Sequence, residues 1–363
     1  MAEAEHDDRE RGPRWTSELA GHAAAERTLR DTWAGGRMPH AWLITGPRGI
    51  GKATLAYRFV RTVLAGAAHD TGPSLFAAPM PSPGATATIS PSHPVFRRIA
   101  RNAHPDLMSI ERPPDKEEII VESARRAVDF FTMTPAEGGW RVLIVDAADE
   151  LNRSAANALL KVIEEPPQRG LILLLSHRPG LVLPTIRSRC RRLALRPLVD
   201  TEVAKVVARE WPELAPEIVA GLVAMSEGSP GRAMALAEAD GFAWYRDFLG
   251  WLTRLPAVDA KAMHALADRV SRRDSASTFR TLMTLPTWSI ARMVEAGGGH
   301  PPGALVAGEG AAHAHLLERR TIDHWAQVWE QLSLFIARAA AVNLDRRHIA
   351  LNVFSALGRA AKG

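Results

Sequence analysis

A glycine-rich loop near the start of the chain has the composition of a phosphate-binding site. Residues 46–54 read Gly-Pro-Arg-Gly-Ile-Gly-Lys-Ala-Thr, after an apolar run and before a helical pattern, which is the context such a loop requires. Backbone N–H groups and the helix N-terminus would cradle an anion, and Lys52 would reach the terminal phosphates. The candidate nucleotide contacts are Gly46, Gly49, Gly51, Lys52 and Thr54.

One position of this loop departs from the pattern. The residue after the lysine normally places a hydroxyl on Mg²⁺, and here it is Ala53. Thr54 follows, but it lies about 100° further round the helix and points elsewhere. Two interpretations stay open: a nucleotide site that binds ATP or ADP weakly, and a glycine turn that has kept its shape and lost its ligand.

A second motif lies at the end of an apolar strand pattern. Residues 142–145 are all apolar and are followed by Asp146, where a carboxylate that supports Mg²⁺ belongs. Hydrolytic proteins of this kind place a glutamate next, to polarise the attacking water, and this chain has Ala147. A plain buried strand end is the alternative, but the glycine loop upstream favours the nucleotide motif. Because the metal hydroxyl and the water-activating carboxylate are both missing, we expect no ATP hydrolysis by the chain alone.

The first half of the chain must position these motifs on an α/β sheet. Strands are predicted at residues 41–45, 106–110, 142–145, 171–175 and 193–195. Helices are predicted at residues 52–65, 117–131 and 153–164, the last one stopped by two prolines. Continuous apolar strands that alternate with helices indicate a parallel sheet covered on both faces.

The rest of the chain is predicted to be helical. The expected organisation is a disordered arm at 1–14, a P-loop domain at 15–198 with an insertion at 67–104, a small helical domain at 199–240, and a helical domain at 241–363. The last domain holds five of the ten tryptophans, namely Trp244, Trp251, Trp288, Trp325 and Trp329. Five tryptophans are more than a solvated helical domain needs for its own core, so we expect this domain to drive oligomerisation. The alternative is that they form its own core.

Composition excludes several classes of protein. The chain has 363 residues, of which 46% are hydrophobic and 23% charged, as in a soluble protein with a sizeable core. No apolar run reaches the roughly 18 residues of a membrane span, and the N-terminus lacks a signal core, so a cytoplasmic location is expected. The net charge of +5 permits nucleic-acid binding without indicating it. Cys190 is the single cysteine, which excludes an internal disulfide and any zinc site built from several thiolates.

Two further motifs resemble the clamp-loader family of AAA+ proteins. They are residues 155–167 and the triplet 188–190, Ser-Arg-Cys; residues 37–41 and 104–106 are similar to the same family. Its members include the bacterial gamma/tau motor subunit, the delta-prime subunit and the replication factor C subunits. The resemblance extends over residues 19–235, and residues 343–346 are similar to the end of delta-prime collar domains. It implies an AAA+ P-loop domain with a parallel sheet, a small helical lid and an all-α collar.

The resemblance also implies roles for single residues. Arg189 would be an arginine finger supplied in trans to a neighbour's ATP, whereas on spacing alone it would belong to a solvated basic edge with Arg187, Arg191 and Arg192. Arg232 would sense bound nucleotide, or is simply solvated beside a helix cap. Ser176 would be a polar sensor, or a satisfied hydroxyl at the end of a strand. Many relatives bind zinc through four cysteines in the region of the insertion; this chain has none there, so zinc is not expected.

Three functions compete at this point. Ala53 and Ala147 favour a non-motor subunit of the delta-prime type, which would help load the sliding clamp of DNA polymerase III onto primed DNA. Its partners would be gamma/tau and delta subunits, the clamp, and primer-template DNA through the complex, with no membrane. A gamma/tau-type ATPase motor is the alternative within the family. A P-loop enzyme such as a small-molecule kinase would leave residues 157–167 and 188–190 without an explanation.

Overall fold

The computed structural model describes residues 12–67, 89–113, 116, 118–137, 139–271, 276–300, 302–341 and 345–362. Most of the predicted arm (1–11), the middle of the predicted insertion (68–88) and two residues of the C-terminal motif (343–344) therefore lie outside the described residues. The chain forms two compact units, which divide after Glu202. The predicted boundaries at 198 and 240 stay predictions.

A parallel sheet of five strands organises the first unit. The strands are β1 (Ala41–Thr45), β2 (Leu107–Glu111), β3 (Arg141–Asp146), β4 (Gly170–Ser176) and β5 (Arg191–Ala194). Their order is β2-β3-β4-β1-β5, and every pair is parallel. The three central strands are almost wholly buried, because helices cover both faces. The predicted α/β fold class is confirmed.

Six helices accompany this sheet in the described part of the first unit. They are α1 (Ala23–Ala34), α2 (Lys52–Ala67), α3 (Pro94–Ala100), α4 (Val121–Thr132), α5 (Arg153–Glu164) and α6 (Pro184–Arg189). Helix α5 spans the predicted residues, because the Asn152 side chain accepts a hydrogen bond from the N–H of Ala155, 2.8 Å away, and caps its start.

Two predicted starts in this unit were wrong by two residues or more. Helix α4 begins at Val121 instead of residue 117, because Ile119 is in a parallel bridge with Leu151 and its N–H donates to the Glu150 carbonyl at 2.7 Å. Strand β5 begins at Arg191, two residues before the predicted start, because Arg191 pairs with Trp42 of β1. The Arg191 guanidinium lies 4.9 Å from the centre of the Trp42 ring, so a charged residue starts a strand that the apolar pattern begins later.

The second unit is helical throughout its described residues. Its helices are α7 (Asp200–Glu210), which crosses the division, α8 (Pro216–Ser226), α9 (Pro230–Glu238), α10 (Gly241–Leu252), α11 (Ala260–Ser271), α12 (Ala276–Gly297), α13 (Glu309–Arg319), α14 (Ile322–Ala341) and α15 (Arg346–Lys362). An all-helical C-terminal region is thereby confirmed. None of the described helices is long and apolar enough to cross a bilayer.

The tryptophans of the second unit are mostly buried within it, which contradicts the expectation that they exceed the needs of its own core. Trp244 and Trp325 are fully buried and Trp251 is 2% exposed, so these three form the unit's own core. Trp244 stacks on Phe248, with ring centres 5.5 Å apart. Among the five, only Trp329 is a largely exposed ring, at 43%. The number of tryptophans therefore no longer supports oligomerisation through this unit, which stays a prediction.

Candidate nucleotide site and exposed arginine

The glycine loop joins β1 to α2 at the carboxyl edge of the sheet. Gly46 has φ 149°, and a Cβ there would lie 2.6 Å from both the Ile50 side chain and the Leu195 carbonyl oxygen. Its N–H donates to the Ser176 carbonyl at 3.2 Å, which ties the loop to the end of β4. Gly49 and Gly51 also have positive φ, at 79° and 105°. The loop conformation is therefore fixed by packing and by glycine.

The Lys52 ammonium is bonded to its own loop. Lys52 is 3% exposed, and Nζ donates to the Gly46 and Pro47 carbonyl oxygens at 2.7 Å each. Burial lowers the pKa of Lys52 to about 8, against the opposing effect of the Asp146 and Asp149 carboxylates. Two of the three N–H groups of the ammonium are therefore occupied by the loop itself.

A segment before α1 lies against the same loop. The imidazole Nε2 of His22 is 2.7 Å from the Ile50 carbonyl oxygen. A Cβ on Gly51 would lie 3.4 Å from the Leu19 side chain. These contacts were not predicted, because a lone histidine 28 positions before Ile50 carries no sequence signal for the contact.

A half-buried carboxylate stands at the metal position at the end of β3, and a buried methyl group follows it. Asp146 ends β3 beside Glu111 of β2. Burial, followed by the charge of Glu111, raises the pKa of Asp146 to about 6, although Lys52 opposes the rise. Ala147 is 1% exposed, so a buried methyl stands where a water-activating carboxylate would be needed. Ala53 and Thr54 are both half-buried in the first turn of α2.

The two acids after Asp146 have other partners. The Asp149 carboxylate accepts the N–H groups of His177 at 2.8 Å and Arg178 at 3.2 Å, which links the end of β3 to the turn after β4. Burial alone would raise its pKa, but the hydrogen bond from the His177 N–H holds the pKa of Asp149 below its ordinary value. Glu150 accepts from Arg112 Nε at 2.9 Å. Ser176 is fully buried at the end of β4, and its hydroxyl oxygen has no hydrogen-bond partner among the described residues.

Arg189 lies at the surface, in contrast to the buried Lys52. It is the last residue of α6, and its side chain is 42% exposed. Nη2 lies 2.9 Å from Glu164 Oε1, while Nη1 donates to the Thr185 carbonyl at 3.1 Å and to the Ser188 hydroxyl at 3.4 Å. These three acceptors hold the guanidinium at the surface.

The residues beside Arg189 have contacts within the chain. Arg187 donates to the Pro179 carbonyl at 3.4 Å, and Arg191 packs on Trp42 as described above. Cys190 is 8% exposed, and burial raises the pKa of its thiol to about 11, so it stays protonated at neutral pH. The basic edge is therefore not one uniform solvated patch.

Arg232 lies in the second unit, near the start of α9. The Ser229 side chain caps this helix by accepting the N–H of Arg232 at 3.2 Å. The guanidinium is 2.7 Å from one Glu227 carboxylate oxygen, and the other oxygen accepts from Trp288 Nε1 at 2.7 Å. Arg232 is therefore neither buried nor simply solvated, because it is in an ion pair and lies over the Trp288 ring.

Comparison with known proteins supports the predicted family. Residues 81–199 match a family model described as DNA polymerase III, delta subunit. DNA polymerase III subunit delta' of Pseudomonas aeruginosa is 34% identical over 205 residues, which are 56% of this chain and 57% of that protein. Over these residues the chain is similar to subunits of the DNA polymerase III clamp loader. The predicted resemblance is thus confirmed.

Other clamp-loader relatives include both kinds of subunit. Subunit delta' of Escherichia coli is 34% identical over 139 residues, 38% of this chain and 41% of that protein. Subunit tau of Escherichia coli is 28% identical over 230 residues, 62% of this chain and 33% of that protein. The chain spans less than two thirds of the length of each of these relatives. A gamma-subunit-related protein of Thermotoga maritima has a solved structure with 16% identity and TM-score 0.47, covering 93% of this chain and 99% of that one.

Proposed function

We propose that the chain is a non-motor, delta-prime-type subunit of the clamp loader, which helps load the sliding clamp onto primed DNA. One contrast carries the proposal: Lys52 is buried on its own loop, whereas Arg189 is presented at the surface. The missing hydroxyl at Ala53 and the missing carboxylate at Ala147 support it. Two of the relatives described above are named delta' and both are 34% identical, against 28% for the tau subunit.

In this proposal, Arg189 acts on the nucleotide of an adjoining subunit. A guanidinium is planar and permanently charged, so it can stabilise negative charge on a transferring phosphoryl group through two parallel hydrogen bonds. Arg189 ends a short helix and its side chain is almost half exposed, so the guanidinium lies at the surface of its own unit. It neither donates nor removes a proton.

The chain's own glycine loop fits a nucleotide poorly. Two of the three N–H groups of Lys52 are bonded to its own loop, and Ala53 supplies no oxygen for Mg²⁺. The loop's backbone N–H groups could still cradle phosphate, so ATP or ADP would bind weakly if at all. The partners of the chain would be gamma/tau and delta subunits, the clamp, and primer-template DNA through the complex.

A gamma/tau-type motor is the second candidate, because Lys52 and Asp146 keep the residue types of an active site and a tau subunit is among the relatives. An ATPase assay of the purified chain separates the two. We expect turnover well below about 1 s⁻¹, the low end of ordinary enzymes, and a higher rate would establish the motor.

The test of the main proposal uses Arg189→Ala in a complex rebuilt with gamma/tau and delta subunits. Clamp- and DNA-stimulated ATPase should fall in part, since other sites keep their fingers, and clamp loading should fall further. Arg189→Lys should rescue poorly, because an ammonium lacks the planar fork. Arg192→Ala, at an exposed arginine of β5, is the matched control and should change neither rate. Wild-type rates with Arg189→Ala would disprove the finger.

A further inference from the structure

The ends of two helices meet at the exposed arginine. Glu164 is the last residue of α5, and Arg189 is the last residue of α6. The 2.9 Å contact between Glu164 Oε1 and Arg189 Nη2 fixes one nitrogen of the guanidinium. The other nitrogen, Nη1, is held by acceptors of α6 itself, the Thr185 carbonyl and the Ser188 hydroxyl. The contact with Glu164 is therefore the only one of the three that links two helices.

The electrostatics of this contact make it easy to exchange. Both side chains are exposed, by 42% for Arg189 and 44% for Glu164, and exposed ion pairs contribute little to stability. Glu164 also ends a helix, where the carbonyl groups already carry partial negative charge that the arginine offsets. A nucleotide phosphate carries more negative charge than a carboxylate and offers two oxygens to the planar fork. It can therefore displace Glu164 from Nη2 while the contacts to Nη1 keep the group oriented.

We propose that Glu164 is a positioning residue that holds Arg189 in the free subunit and releases it to the phosphate of the adjoining subunit's nucleotide. This inference rests on the proposed function of Arg189. Glu164 would not touch the reacting atoms. Its carboxylate competes with phosphate for one guanidinium nitrogen, so it sets how much ATP is needed to engage the finger. It does not set the rate of hydrolysis once the finger is engaged.

Glu164→Gln tests the exchange. The amide oxygen still accepts a hydrogen bond from Nη2, so orientation is kept, but the competing charge is gone. The measurement is steady-state ATPase against ATP concentration in a rebuilt complex whose motor subunits have lost their own Ser-Arg-Cys arginines. This chain then supplies the remaining finger. We expect the ATP concentration at half-maximal rate to fall about two- to five-fold, with the maximal rate unchanged, as the weakness of exposed pairs implies.

Glu165→Gln is the matched control. It removes the same charge one position along the chain, and Glu165 is in no ion pair with another residue in the described part of the chain. The control should leave the half-maximal concentration unchanged. In the double variant Glu164→Gln with Arg189→Ala, the effect of the glutamine should vanish, because there is no guanidinium left to release.

The possible outcomes separate this inference from the proposed function. If Glu164→Gln behaves like Glu165→Gln while Arg189→Ala still lowers the rate, the exchange is wrong and the finger stands. A lower maximal rate at an unchanged half-maximal concentration would also overturn it, since Glu164 would then support Arg189 during hydrolysis. If Arg189→Ala changes nothing, the proposed function fails and this inference falls with it.

Discussion

The glycine loop and the end of α6 each carry a cation that could bind phosphate, Lys52 and Arg189. The two cations differ in exposure and in their hydrogen-bond partners. Lys52 is 3% exposed and bonded to two carbonyls of its own loop. Arg189 is 42% exposed, with one exchangeable carboxylate partner. In the proposed function, the loop serves as a structural turn, while the surface arginine keeps the properties that a neighbour's site would use.

The largest effect is expected where the loop is structural. Gly46→Ala should destabilise the chain by about 2–4 kcal/mol without any nucleotide, because a Cβ would overlap the Leu195 carbonyl and the Ile50 side chain. The free energy of unfolding in denaturant is the measurement. Gly180→Ala is the control, since a Cβ there meets no atom within 4 Å. Equal stability of the two variants would show that the loop is not fixed by packing.

A smaller effect of opposite sign is expected at Asp146. Its pKa of about 6 lies above the ordinary 3.8, so the folded chain binds this proton more tightly than the unfolded chain. The resulting stability is present below about pH 4 and is lost as pH rises through 6. Asp146→Asn should therefore stabilise the chain by about 1–2 kcal/mol at pH 7, after allowance for partial solvation, and by almost nothing at pH 4.

Unfolding free energies at these two pH values check the sign of the Asp146 effect. Asp129→Asn, at an exposed carboxylate of α4, is the control and should change stability little at either pH. A variant of Asp146 that is destabilised at pH 7 would show that the carboxylate still has a stabilising partner, as an intact metal site would require.

The smallest effect on stability is expected at the surface. Arg189→Ala should change the free energy of unfolding by less than about 0.5 kcal/mol, because an exposed pair contributes little. Thermal unfolding of the isolated chain measures this. A loss of several kcal/mol would mean that the arginine serves the fold of its own subunit, and the contrast with Lys52 would disappear.

Much of the fold followed from short-range patterns. Helix α5 could be predicted to the residue, because Asn152 and two prolines mark its ends. The start of α4 could not, since it depends on a bridge between Ile119 and Leu151, which are far apart in the sequence. The inference of oligomerisation from the tryptophans failed for a similar reason. The sequence shows that these residues are apolar, but not that the nine described helices of one unit can enclose three of them.

The sequence identified the residues of the candidate site, but it did not show which contacts their side chains make. The glycine loop and Asp146 come to the same edge of the sheet, as the motifs require. No pattern showed that Lys52 folds back onto Gly46 and Pro47, or that Glu164 holds Arg189 across 25 positions of sequence, because such contacts depend on tertiary placement. The run of two glutamates before two prolines was the one available signal for Glu164.

In the proposed function, this chain contributes a cation to a neighbour's site and not to its own. The most direct measurement compares Lys52→Met with Arg189→Ala in the rebuilt complex in which this chain supplies the remaining finger. ATPase should stay within about two-fold of wild type with Lys52→Met and fall roughly 10³-fold or more with Arg189→Ala, as for other fingers supplied in trans. A loss of ATPase with Lys52→Met and none with Arg189→Ala would overturn the proposed function of Arg189.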